Sequence, residues 1–148
     1  MKQLAVILLA TVGCSVAESP APRSFCTERS IGDLGAPIEV TIVSRDRTGH
    51  VQSVLEAAPV WVALSSGERG VVLSIHARNL DGCAVAVAIR NLDDGRQGGA
   101  MVELDDSGQV DPDNPMSFIE LGMPTDGDTI NVAVEDAMGR WATVRWSP

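Results

Sequence analysis

Downstream of residue 24 no stretch of this chain keeps a helical period for long; it repeats short apolar alternations broken by Gly, Asp, Asn and Pro. An apolar side chain at every second position marks a half-buried strand, so the pattern commits the chain to sheets. "IEVTIVS" sets Ile38, Val40 and Ile42 on one face, and "PVWVAL" sets Val60, Val62 and Leu64 opposite Trp61. "VVLSIHARN", "CAVAVAIR", "AMVEL", "SFIEL", "TINVAVE" and "RWATVRW" follow. Residues His50 to Leu55 form a weaker strand or, equally, a helical turn. About seven to nine short strands predict an all-β chain folded as a single antiparallel sandwich rather than βαβ units.

Two turns can be specified. In "ARNLDGCAV" the inward sets are Val71, Leu73, Ile75, Ala77 and Cys83, Val85, Val87, Ile89. A two-residue Asp81-Gly82 turn would send these sets to opposite faces. A three-residue loop, Leu80-Asp81-Gly82, instead faces Ile75 with Val87 and Leu73 with Ile89, with Gly82 left-handed. "VEDAMGRWA" has the same grammar. Its loop Ala137-Met138-Gly139 faces Val134 with Ala142, Val132 with Val144 and Ile130 with Trp146. Trp146 is then core, and Trp141 lies on the outward face.

The segment "DTINVAVEDAMGRWATVRW" resembles the last two strands of bacterial immunoglobulin-like and fibronectin type III-like domains. The resemblance implies an immunoglobulin-like sandwich and a binding, adhesion or spacer role without catalysis. The chain has no tyrosine, so the family's tyrosine near the penultimate strand is missing.

The chain begins with Lys2 ahead of an apolar run from Leu4 to Val12, the pattern of an export signal too short to span a bilayer. Two endings compete. Ser15-Val16-Ala17 offers cleavage before Glu18, which makes residues 1–17 the signal peptide. Thr11-Val12-Gly13-Cys14 resembles a bacterial lipobox, which makes residues 1–13 the signal and Cys14 the lipidated first residue; Thr11 stands where that motif usually has leucine. The second ending is preferred here, and the resemblance, with Ser15 in place of aspartate, implies the outer membrane rather than periplasmic or secreted solubility. Residues 18–30 read as a polar tether and 31–148 as the sandwich domain. With Cys14 outside the fold, Cys26 and Cys83 form an even pair in an oxidising compartment, and a structural disulfide between them is expected. Closing a loop of about 57 residues would contribute about 4 kcal/mol in the chain-entropy model.

The chain carries a formal charge of −9, and its one lysine lies in the signal. That balance argues against nucleic acid and against an anionic membrane patch, leaving membrane contact to the Cys14 anchor. The expected partner is a protein or another envelope component, and the expected state a monomer. Chemistry-bearing motifs are sparse. The two histidines, His50 and His76, have no metal-binding spacing, and "ALSSGERG" lacks a nucleophile elbow. His76 should point to solvent or to a covering loop. The acidic stretch "ELDDSGQVDPDNPMS" holds Asp105, Asp106, Asp111 and Asp113. It reads first as a solvated connection and second as a weak calcium site. Trp61 and Trp141 are the candidates for ligand contact, as a stacking platform for carbohydrate if both are exposed side by side. The leading expectation is a noncatalytic envelope domain, followed by a carbohydrate-binding module. A small exported hydrolase comes last and would need a cleft joining a histidine to an acid and a nucleophile.

Overall fold

A computed structural model describes residues 28–148. Residues 1–27, on which the expected export signal, Cys14, Cys26 and most of the expected tether fall, lie outside the described residues. Eleven strands are present among those described: β1 (Ser30–Ile31), β2 (Glu39–Arg45), β3 (Val51–Ser53), β4 (Val62–Ala63), β5 (Arg69–Arg78), β6 (Leu80–Asp81), β7 (Val85–Asn91), β8 (Gln97–Val102), β9 (Ile119–Gly122), β10 (Ile130–Glu135) and β11 (Trp141–Trp146). The two strands beyond the expected set are β1 and β6, two residues each.

Two antiparallel sheets form the sandwich. One runs β11-β10-β7-β8; the other centres on β5, which pairs β2, β4 and β9, with β3 outside β2. β9 overlaps β4 at Gly70 and β2 at Leu73, so β2 and β4 must share one edge of β5 and β9 takes the other. β11 lies beside β2 and β8 beside β9, so both flanks of the sandwich are drawn together. Val71, Leu73 and Ile75 from one sheet meet Val85, Ile89, Val132 and Val134 from the other, all at most 1% exposed. Burial of these branched side chains contributes about 1.5–3 kcal/mol each and sets strand register by face.

The C-terminal hairpin has the expected register: Val134 pairs with Ala142, Val132 with Val144 and Ile130 with Trp146. Gly139 is left-handed, with φ 75°, and its N–H donates to the Asp136 carbonyl. Trp146 is buried and Trp141 exposed.

The first hairpin is corrected. β5 does not pair with β7; β5 belongs to one sheet and β7 to the other, where it lies between β10 and β8. The connection crosses the sandwich. Asn79, not Gly82, takes the left-handed conformation, with φ 62°, and Leu80 is fully buried where the loop reading put it in a turn. Both inward sets are buried as expected, because across a sandwich they face each other without pairing.

The expected Cys26–Cys83 disulfide has one end, Cys26, outside the described residues, and Cys83 is a disulfide-bonded cysteine. No disulfide joins two described residues, since Cys83, 2% exposed, is the one cysteine among them. The described contacts that hold the start of the domain to the body are noncovalent. β1 pairs β6, Ile31 is buried, the Arg29 backbone N–H donates to Asp81 Oδ1 at 3.2 Å, and the Arg29 guanidinium meets Glu103 Oε1 at 3.0 Å.

Candidate functional site

The segment from Asp105 to Phe118 folds back over the outer face of the β5 sheet. Its first turn is built by Asp105, whose Oδ1 accepts the Ser107 N–H at 2.8 Å, the Ser107 hydroxyl at 2.6 Å and the Gln109 N–H at 3.0 Å. Burial raises the Asp105 pKa, but the Ser107 and backbone hydrogen bonds outweigh it, so the carboxyl lies below its ordinary value. Gly108, with φ 86°, then extends the free edge of β5, where the Ala77 N–H donates to its carbonyl at 2.9 Å. Further along, the buried Ser74 hydroxyl donates to the Ser117 carbonyl at 2.6 Å. The Arg45 guanidinium lies over the Phe118 ring, 5.2 Å from its centroid.

Between this cover and the β2–β3 hairpin lies a cleft of about 460 Å³. Thr41 and Val43 line it together with His50, Ser53, Glu56 and His76, so both histidines of the chain share it. His76 meets its expected covering loop, with Nε2 3.0 Å from the Ser107 carbonyl oxygen. His50 sits at the β2–β3 turn, where its backbone N–H donates to Asp46 Oδ1 at 3.0 Å. Among the described residues no hydrogen bond joins either imidazole to a carboxylate or a hydroxyl.

The two tryptophans are separated. Trp141, 73% exposed, is on the outer face of the β10 sheet, in a row with Glu135, Ala86 and Met101. Trp61 precedes β4 in the other sheet, half-buried and packed against the core. It lines an open depression of about 450 Å³ with Asp46, Arg47, Thr48, Val60 and Arg69. A single platform made of both rings is therefore not formed.

The calcium candidates do not converge. Asp105 and Asp111 each turn an oxygen onto backbone N–H groups of their own turns, and Asp106 faces Arg29 at 3.5 Å. Among the described residues no group of three or more His, Cys, Asp or Glu is placed to hold a metal ion. Sequence reasoning missed Arg47 and Arg69 beside Trp61, and Glu56 beside the histidines. Only strand pairing links these positions, through the β4–β5 ladder and the β2–β3 turn. Comparison with protein-family models, curated proteins and solved structures finds no match to this chain.

Proposed function

We propose that this chain is a noncatalytic, exported β-sandwich domain of a bacterial cell envelope, tethered to the outer membrane through a lipidated Cys14, with a binding or structural accessory role. The observation that carries the noncatalytic reading is the wiring of the histidine cleft. Acid–base catalysis needs an imidazole within hydrogen-bond reach of its partner. Here the one bonded ring nitrogen, His76 Nε2, is engaged by a backbone carbonyl and serves the covering loop. The strand order supports an immunoglobulin-like or fibronectin type III-like topology. Strands β2, β5 and β9, with the short β3 and β4 at their margins, form one layer against β11, β10, β7 and β8; without those two short strands the layers resemble the three-on-four arrangement of those domains. Such analogy speaks to fold and leaves the ligand to the site.

The test has two parts. Expression of the full chain in a diderm bacterium is expected to give a membrane-associated product whose intact mass carries the acyl chains on Cys14, and Cys14→Ala should release it. A soluble product beginning at Glu18 would overturn the anchor. Turnover of ester or glycoside reporter substrates that is lost in His76→Ala would overturn the noncatalytic reading.

A further inference from the structure

The depression around Trp61 combines features that do not occur together elsewhere among the described pockets. Arg69 opens β5 and pairs with Ala63, two residues beyond Trp61, while Arg47 comes from the β2–β3 turn. The chain has 20 acidic residues against 11 basic ones, so an arginine has ample choice of partners. Arg29, Arg96 and Arg140 each take a carboxylate, and Arg45 takes an aromatic ring. The exposed side chains of Arg47 and Arg69, like those of Arg78, Arg90 and Arg145, make no ion pair, hydrogen bond or ring contact with the described residues, but Arg47 and Arg69 line the same depression. Asp46 also lines it. Its Oδ1 is committed to the turn that carries Arg47, accepting the Thr48 N–H at 2.8 Å and the Thr48 hydroxyl at 2.7 Å. Two guanidinium groups against one carboxylate leave a local positive field on an acidic protein.

We infer that this pocket binds a carboxylated sugar, with the pyranose ring against the Trp61 indole and the carboxylate between Arg47 and Arg69. An indole anchored in the core presents a fixed apolar face, so little side-chain freedom is lost on binding. Guanidinium forks match carboxylate oxygens in plane and in pairs. A nucleic acid strand would set its phosphate charge against the net charge of −9, whereas one carboxylate needs only the local field. The inference rests on the noncatalytic reading and names the ligand class for it.

The experiment is calorimetric titration of the full chain at low salt. The probes are oligosaccharides of galacturonate, glucuronate and N-acetylneuraminate, each beside its neutral carboxyl-reduced counterpart. At least one acidic probe should bind about tenfold or more tighter than its neutral form, and Arg47→Gln and Arg69→Gln should each weaken it about tenfold. Both arginines are on the surface, so these variants keep the fold, which circular dichroism checks. Trp141→Ala should leave binding unchanged. No binding by any of the three acidic probes, equal binding of the neutral forms, or full binding by the double arginine variant would overturn the pocket and leave the noncatalytic reading standing. Release of reducing ends from a bound probe would overturn the noncatalytic reading, and arginine-dependent binding in the same titration would still support the pocket.

Discussion

Replacing Asp136 with alanine should cost this domain more stability than any other loss of one carboxylate. Asp136 is 4% exposed and closes the β10–β11 turn. Its Oδ1 accepts the Met138 and Arg140 backbone N–H groups, each at 3.0 Å. Its Oδ2 accepts Arg140 Nε at 3.0 Å, Arg140 Nη2 at 2.8 Å and the Asp81 N–H at 3.3 Å. Arg140 carries the connection outward, donating from Nη2 to the Asn79 carbonyl at 2.8 Å and from Nη1 to the Leu34 carbonyl. One carboxylate thus ties the last hairpin to the crossover between the sheets and to the start of the domain. Alanine leaves Arg140 partly buried without its counter-charge and strands the N–H groups of the turn. Breaking a buried pair in this way costs about 3–5 kcal/mol. At about 4 °C per kcal/mol for a domain of this size, Tm should fall by about 12–20 °C.

Urea unfolding followed by tryptophan fluorescence gives the free energy directly, with buried Trp146 as the reporter. A loss below about 1 kcal/mol, the range of exposed pairs, would refute the idea that this node is buried and coupled. The loss in the Asp136→Ala/Arg140→Met double variant should fall well short of the sum of the two single-variant losses, because the residues share one network. The node also has a pH signature. Burial pushes the Asp136 pKa up, but the Arg140 side chain and the backbone donors outweigh it, so the folded carboxyl lies below 3.8. A depressed folded pKa means that its stabilisation is present above the unfolded value, about 3.9, and is lost as pH falls through the folded pKa. Asp136→Asn should lose less stability than the parent over that acid window, and an unchanged acid transition would contradict the assignment.

Three further outcomes are expected. Gly108→Ala should loosen the cover over the histidine cleft, since its φ is 86° and a Cβ would land on the Ala77 carbonyl oxygen; faster amide exchange at Ala77 and Gln109 is the readout. Asn79→Gly should cost less than Asn79→Ala in urea unfolding. Both remove the side-chain bonds to the Asp33 N–H and the Pro37 carbonyl, but only alanine also strains the left-handed backbone, by about 1 kcal/mol. Millimolar calcium should leave Tm unchanged, because Asp105 and Asp111 spend oxygens on their own turns; a rise of several degrees would restore the calcium site.

What the sequence could and could not convey is clearest at its two Gly-containing turns. "NLDGC" and "DAMGR" share a grammar, and alternation assigned the inward residues correctly around both. Only the second is a hairpin. Burying one face is satisfied equally by two strands paired within a sheet and by two strands facing each other across a sandwich. Period-two alternation therefore gives the face of each strand and leaves the sheet undetermined. The discriminating signal was Leu80. A hairpin loop would expose it, as the second loop exposes Met138, yet Leu80 is fully buried and β6 pairs with β1 there. Gly82 serves close packing rather than a left-handed turn, since a Cβ there would strike the Ile31 side chain.

Trp61 and Trp141 look alike in sequence, each opposite an apolar set. Their exposures differ because Trp61 packs onto the core beside the β4–β5 ladder, whereas Trp141 starts a strand whose outer face stays open. His50 and His76 come together only because β2 pairs with β5 and the Asp105–Phe118 segment folds over that face, both nonlocal events. Local pattern therefore carries the strands and the C-terminal turn. The pocket of Arg47, Trp61 and Arg69 exists only once β2 and β4 share one edge of β5, and a ligand that senses all three residues would report on that topology as directly as on its own chemistry.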